Sequence, residues 1–355
     1  MIHIEIEPAW RFRRDNSGQS LLIILTLLNE IRVTGKIGRA ADRIGVSYRH
    51  AWNLIETWSA FFEAPLVERK QGRGTSLTPL GGKLVWAGQR LEARLGPQLQ
   101  SLSQELETEI NQLLPHGPSI IRVHASQGFA VSKLRELLSR EANLGVDLRY
   151  VSNQSSLVSL ARDECELAGL HVPHGNLWKS SIAAAKDWLT SNVYRVISLV
   201  TREMGLMVKR GNPLGVVSIE QLLEPGVRFV NRDPDSETRL LFDQLLSQQR
   251  LDGSRIHGYA QVEFTHAAVA AYVASDMADV SFGVEAAARQ FDLDFVQLVT
   301  EDYFFICRKQ LLELEPMKRV LAVIRSNEFR DAISELPGYR CKDAGAIKTI
   351  REAFG

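Results

Sequence analysis

Apolar residues at Ile37, Ala40, Ala41 and Ile44 recur three and four positions apart, which predicts a helix of about two turns with one buried face. Ala51, Leu54, Ile55, Trp58 and Phe62 repeat that spacing in a second, longer helix. Gly45 lies between them, where only glycine takes the left-handed conformation at a helix end without steric cost. Val46 is expected to plug the turn, and Ser47 to accept a hydrogen bond from the free N–H groups that open the second helix. Past Pro65, Leu66 to Arg69 and Ser76 to Leu77 read as two short strands around KQGRGT, a basic glycine-rich tip. Upstream, Ile2, Ile4 and Ile6 alternate with polar residues and predict a short strand. The apolar run Leu21 to Leu28 predicts a first core helix, capped by Asn16 or Ser17.

Downstream, Thr78-Pro79 starts a helix that can run to Leu113, because proline is favoured at the first helical position. Leu84, Leu91, Leu95, Leu99, Leu102, Leu106, Ile110 and Leu113 form an apolar seam along it. Gly96-Pro97 is expected to kink or break this helix, since proline lacks the N–H and crowds the preceding turn. LPHGPS, Leu114 to Ser119, reads as a linker. Strands are then expected at Ile120 to His124, Asp147 to Val151 and Leu167 to His171, with helices at Ser126 to Arg140 and Ser155 to Asp163. A second unit follows. Its strands are Tyr194 to Val200, Gly205 to Lys209, Val227 to Asn231, one through Val280 and Phe295 to Leu298; its helices are Ser218 to Leu223, Ser236 to Arg250 and His266 to Ser275. Such alternation predicts parallel sheet with right-handed crossovers, in two α/β lobes.

The exposed edge of the second helix supplies the first candidate chemistry. Tyr48, Arg49, His50 and Asn53 lie near its start, opposite the apolar face. A helix-turn-helix reads base edges with those first turns, and a basic hairpin tip suits phosphate or minor-groove contact. Lys36, Ser47, Tyr48, Arg49, His50, Asn53 and the tip residue Arg73 are therefore the candidate DNA-binding residues of a winged helix-turn-helix. The whole chain is neutral, with 42 basic and 42 acidic residues, but Arg32 to Arg90 holds ten Lys or Arg against four acids, a net of +6. A local basic patch is what neutralising phosphates demands. Palindromic double-stranded DNA needs two copies of such a reader, so a homodimer through the long helix is expected, with a tetramer as the next assembly.

A two-lobed α/β unit holds small ligands at strand ends and helix starts. That rule selects Ser126, Ser155, His171, Asn231, Arg232, Ser236, Thr238, Arg239 and His266, a set of hydroxyls, arginines and imidazoles suited to an oxyanion. No metal site is expected, because Cys165, Cys307 and Cys341 are few and far apart. No catalytic residues are expected either, because His124, His171, His174, His257 and His266 are scattered and match no nucleophile, zinc or phosphate-loop pattern. The longest early apolar run is eight residues, short of the roughly 20 that span a bilayer, so a cytoplasmic protein without membrane contact is expected.

Two resemblances sharpen this reading. GKIGRAADRIGVSYRHAWNLIE, followed by LVER, a glycine-rich tip and LT, resembles the DNA-binding domain of the molybdate-dependent ModE-type regulators, and more distantly that of the LysR family. Over Ile120 to about Tyr303, the segments AGLH, VKRGNP, FVNRDPDSETRLLFDQLL and THAAVAAYVASDMADVSFGVEAAA resemble the periplasmic-binding-protein-like domain found fused to ModE-type modules. That resemblance implies a type II binding-protein fold and a ligand such as molybdate, tungstate or a molybdenum-cofactor-related metabolite, with formate a further option and no covalently bound cofactor. The family pattern N-R-x-x-G-S-G-T-R stands here as NRDPDSETR, so Asp235 and Glu237 replace glycines that would let the backbone approach an anion. The expected architecture is an all-α winged-helix domain at 1–80, a linker and dimerisation helix at 81–114, and a two-lobed α/β ligand domain at 115–355. The competing reading is a ligand-independent DNA-binding regulator whose C-terminal domain serves oligomerisation or protein interaction.

Overall fold

A computed structural model describes residues 2, 4–8, 11–14, 17–20, 22–70, 74–113, 119–141, 144–186 and 192–355. The chain forms two compact units, residues 7–96 and residues 1–6 together with 97–355.

In the first unit an antiparallel pair, β1 (Arg11–Arg14) and β2 (Ser17–Ser20), precedes three helices, α1 (Leu22–Thr34), α2 (Ile37–Arg43) and α3 (Tyr48–Phe62). A second antiparallel pair follows, β3 (Val67–Lys70) and β4 (Gly74–Leu77), and then α4 (Pro79–Gln112) begins. Ile24, Leu27, Leu28 and Ile31 of α1 pack on Ile37, Ala40 and Ala41 of α2 and on Ala51, Ile55 and Trp58 of α3. The two alanines have no side chain beyond Cβ, so neighbouring helices can approach α2 closely. Trp58 completes the core against Phe61 and Phe62, with ring centroids 5.3 and 5.8 Å away.

The turns are fixed by specific groups. Gly45 adopts φ +71° after α2, and Ser47 Oγ caps α3 by accepting the His50 N–H at 3.2 Å. Val46 is half-buried against the core. The Thr75 N–H donates to the Gly35 carbonyl at 2.8 Å, which ties the β3–β4 hairpin to the α1–α2 turn. A side chain at Gly74 would collide with that same carbonyl.

Several local expectations are corrected. Ile2, Ile4 and Ile6 form no strand; instead the Ile2 backbone exchanges hydrogen bonds with the Asn111 side chain, at 2.8 Å each, which satisfies the backbone without a sheet partner. Ser17 lies in β2 and does not cap α1, whereas Asn16 falls outside the described residues, as do Arg73 and Leu114 to Pro118 of the expected linker. Helix α4 continues through Gly96-Pro97 without a break, because proline removes one amide from a ladder that the turns on either side maintain.

The second unit begins with the end of α4 and builds a first lobe from β5 (Ser119–Ala125), α5 (Phe129–Leu138), β6 (Leu144–Tyr150), α6 (Asn153–Ala161), β7 (Leu167–Pro173) and α7 (Trp178–Lys186). Strand β8 (Tyr194–Val208) leads into a second lobe of β9 (Phe229–Arg232), α8 (Glu237–Gln248), β10 (Val262–Glu263), α9 (His266–Ala274), β11 (Val280–Val284) and α10 (Glu285–Gln290). Strand β12 (Asp294–Arg308) returns to the first lobe, where α11 (Glu315–Arg325) and α12 (Asn327–Ser334) pack on α5. Strands β13 (Tyr339–Arg340) and β14 (Ile347–Thr349) then pair with β8, and α13 (Ile350–Phe354) ends the chain.

One sheet runs through both lobes in the order β10-β9-β11-β8-β12-β7-β5-β6. Within each lobe the expected parallel pairs are present: β5 with β6 and β7, and β9 with β10 and β11. The sheet as a whole is mixed, since β8 and β12 run antiparallel to each other and to β11 and β7. This corrects the expectation of separate short strands at Tyr194 to Val200, Gly205 to Lys209 and Phe295 to Leu298. The polar residues Thr201, Arg202 and Glu203 look like an interruption, but they continue β8, where Arg202 lies opposite Glu301 of β12.

That pair sits where the two long strands pass from one lobe to the other. The side chains are 2% and 3% exposed, and Arg202 Nη2 lies 2.8 Å from Glu301 Oε2. Phe229, Phe242 and Phe282 stack in the second lobe, within a core that continues into the first, and Leu157, Leu170, Val172, Phe304 and Ile306 pack in a separate cluster of the first. Removing one partner of a buried pair strands the other charge. Glu301→Leu should therefore cost about 3–5 kcal/mol in denaturant unfolding, with most of it recovered in a Glu301→Leu/Arg202→Met double variant. A single-variant loss below about 1 kcal/mol would show that the lobes do not depend on this contact. In the first unit, Ser47→Ala should lower the stability of the full chain by about 1 kcal/mol, read from its first unfolding transition.

Candidate functional site

The first unit presents an outward polar edge. Ser47, Tyr48, Arg49, His50 and Asn53 are all exposed at the start of α3, while Ala51 and Ile55 of the same helix are buried beneath them. The Ser47 cap orients this end, and Trp52 donates from Nε1 to Glu56 Oε1 at 2.8 Å one turn further on. Lys36 is exposed at the N-cap of α2. The sequence-selected residues at the helix starts are thus all exposed, with Arg73 outside the described residues.

In the second unit, the ends of β5, β6, β7 and β9 and the starts of α6, α8 and α9 surround a cleft between the lobes. Two buried imidazoles, His171 and His266, and two buried arginines, Arg202 and Arg232, lie close enough there to act on one another's charge. Arg202 is matched by Glu301, and its Nη2 approaches His171 Nδ1 at 3.4 Å. Burial opposes the Arg202 charge, but the Glu301 carboxylate and the Tyr339 phenol outweigh it and raise its pKa. Arg232 has weaker support, a coulombic contribution from Asp233 without an ion pair among the described residues. It is 5% exposed, its Nη2 donates to the Phe264 carbonyl at 2.9 Å, and its Nε and Nη1 have no hydrogen-bond partner. Burial, reinforced by nearby Arg202, pushes its pKa down to about 9, so it still carries its charge at neutral pH.

The imidazoles are neutral. Burial holds both pKa values well below the ordinary range, helped at His171 by Arg202 and at His266 by Arg232 and Arg202. His171 Nε2 and His266 Nδ1 lack partners, as does the buried Ser126 Oγ. His266 Nε2 is paired with Thr238 Oγ1 at 3.4 Å, and its ring stands over Gly283, where a Cβ would come within 3.1 Å of Nδ1. Buried polar atoms without partners are rare in folded proteins.

Glu237 gives the cleft its other distinctive feature. From the first turn of α8 in the second lobe, its Oε1 accepts the Asn153 N–H that opens α6 in the first lobe, at 2.6 Å. Asn153 in turn fixes β7, because its side chain exchanges hydrogen bonds with the backbone N–H and C=O of His171. Burial pushes the Glu237 pKa up to about 7, against the lowering effect of the Asn153 N–H, and Glu301 adds to the rise. A cavity of about 220 Å³ adjoins this bridge, with His171, Glu237 and Glu301 at one end and Leu157, Leu170, Leu240 and Leu241 along its walls. Asp235, the other acid in a glycine position, is exposed, and its backbone N–H donates to Asp233 Oδ1.

Of the residues selected from sequence, the structure brings Ser126, His171, Arg232, Thr238 and His266 together and gives four others local duties. Arg239 is held by Asp243 at 2.9 Å and lies 4.0 Å from the Tyr259 ring centroid. Ser236 caps α8. Ser155 is exposed and bonds with Ser152, the α6 cap. Asn231 accepts the Arg232 N–H and donates to the Tyr259 carbonyl. Arg202 and Glu301 were not selected, because the strand-end rule looks past the middle of long strands. Their charges within otherwise apolar runs were the available signal.

Among the described residues no group of three or more His, Cys, Asp or Glu could hold a metal ion, and no helix is long and apolar enough to cross a membrane. The uncharacterised protein YvgK of Bacillus subtilis is 28% identical over 199 residues, 56% of this chain and 64% of that protein. The molybdenum transport protein ModE of Azotobacter vinelandii is 37% identical over 86 residues, 23% of this chain and 32% of its own length. The chain thus spans just under two thirds of the first relative and about a third of the second. Among solved structures, an ABC-type phosphate transport receptor from Vibrio cholerae is similar at a TM-score of 0.45 and 15% identity, covering 62% of this chain and 98% of the receptor. Residues 134–325, more than half of the chain, match the PBP superfamily domain. On that match, the protein with its two lobes joined by β8 and β12 belongs to the PBP superfamily.

Proposed function

We propose that this protein is a DNA-binding transcriptional regulator that senses a small anion in the cleft of its PBP-like domain. In this reading residues 1–80 are a winged helix-turn-helix, 81–114 a dimerisation helix and 115–355 the sensor. The observation that carries the sensor half is the buried Arg232 guanidinium with two unpartnered nitrogens beside neutral His171 and His266. A buried charge needs a counter-charge, and an anionic ligand supplies one. The outward start of α3 supports the DNA-binding half, since it offers Arg49, His50 and Asn53 at the turns that enter a major groove. Relatives carrying the names molybdenum transport protein ModE, transcriptional regulator ModE and molybdenum-pterin-binding protein MopB support a regulatory rather than catalytic role, with molybdate, tungstate or a related metabolite such as formate as ligand.

The working form is a cytoplasmic homodimer on a palindromic operator. Leu102, Leu106 and Ile110 along the second half of α4, and Leu113 just past its end, are exposed at steps of four and three, an apolar line that a second copy would cover. Ligand that binds closed lobes more tightly than open ones shifts the population towards closure and so can alter the spacing of two recognition helices.

Three measurements test this. Arg49→Ala should weaken binding to a duplex from the protein's own promoter by at least about 1 kcal/mol at matched salt; unchanged affinity rejects the assignment of α3. Leu106→Asp/Ile110→Asp should convert the dimer to monomer in sedimentation, and a dimer that persists places the contact elsewhere. In a thermal-shift screen with molybdate, tungstate, sulfate and formate, at least one anion should raise the melting temperature of the wild type and leave Arg232→Gln unmoved. An equal rise in both proteins would place the ligand away from Arg232.

A further inference from the structure

We propose that the cleft is built for a compact monoanion, and that Glu237 acts as a built-in competitor that denies the α6 helix start to doubly charged oxyanions. The proposal rests on the reading that the cleft takes an anion at all.

Charge balance within the cleft supports it. Arg202 is spent on Glu301, and both imidazoles are held neutral by burial and by the neighbouring arginines. Arg239, which could have supplied a second cation, is engaged by Asp243 and stacked on Tyr259. Asp233 adjoins Arg232 in sequence, but its Oδ1 accepts the Asp235 N–H and it makes no ion pair with Arg232 among the described residues. Arg232 has two nitrogens without a hydrogen-bond partner and only a coulombic contribution from Asp233, and with Glu237 ionised the side chains Arg202, Glu301, Arg232 and Glu237 sum to zero. A monoanion therefore leaves one net negative charge and a dianion two, in a site with little water to screen them.

The second support is positional. The start of a helix attracts anions because its first N–H groups are unpaired and its dipole points its positive end there. At α6 that place is already filled by the Glu237 carboxylate at 2.6 Å, reaching across from the other lobe. Glu237 and Glu301 both border the adjoining cavity, so an anion there faces two carboxylates. Doubling the ligand's charge doubles that repulsion. The remaining groups, Ser126 Oγ, His171 Nε2 and His266 Nδ1, are neutral and can serve a small anion without adding charge.

Formate and nitrate, as monoanions, and molybdate and sulfate, as dianions, should be titrated calorimetrically into the full chain at equal ionic strength, in a chloride-free, slightly alkaline buffer. The wild type should bind the monoanions at least about tenfold more tightly. Glu237→Gln keeps the shape and removes the charge, and should raise dianion affinity about tenfold while changing monoanion affinity less. Arg232→Gln should lose both classes. Wild-type protein that binds molybdate or sulfate as well as formate or nitrate, with binding lost in Arg232→Gln, overturns the monoanion assignment and leaves the anion cleft standing. Absence of binding by all four anions to folded wild-type protein overturns both. The wild-type comparison is decisive by itself should Glu237→Gln fail to fold.

Discussion

Two strands, β8 and β12, carry the sheet from one lobe to the other, and the buried contact between Arg202 and Glu301 holds them together where they cross. In water such an ion pair would contribute little, but here both charges are out of solvent and neither is tolerable without the other. The contact also sets the electrostatics around it. Arg202 lies beside His171 and near Arg232, so it adds to the burial that keeps the imidazole neutral and to the burial that lowers the pKa of its neighbour guanidinium. The joint between the lobes and the proposed ligand site thus share one residue, Arg202.

The first unit depends on a different economy. Its helices are short, and their packing relies on small residues, Ala40, Ala41 and Ala51, beneath one aromatic cluster around Trp58. Because the core consumes the apolar face of α3, the start of that helix is free to be polar, and a single serine fixes its direction. Local capping thus decides what the unit can present to a partner.

Much of this was legible in the sequence, for physical reasons. The α2–α3 boundary follows from Gly45 and Ser47, and the helix starts at Ser236 and Thr265 follow from side chains that can cap only from those positions. Ser126, His171, Arg232, Thr238 and His266 were selected because strand ends and helix starts converge in a sheet of this kind. The long strands were harder. Arg202 and Glu301 look like turn residues until each is seen to neutralise the other across a pair of strands far apart in sequence. Arg239 was attractive for the converse reason: its charge is visible in the sequence, but the partners that absorb it, Asp243 one turn on and Tyr259 beyond the helix, are contacts that only folding reveals. The expected strand at Ile2 to Ile6 shows that alternation by itself does not supply a neighbouring strand to bond with.

The Glu237–Asn153 bridge has a consequence for how this protein is observed. In a receptor whose two halves are brought together solely by cargo, a compact outline reports occupancy. Here a side chain of one lobe bonds to the backbone of the other, so compactness has a source within the protein itself and a compact outline does not by itself report cargo. Occupancy would have to be read from the groups around Arg232, by their chemical shifts or by their protection from exchange, rather than from the outline of the molecule.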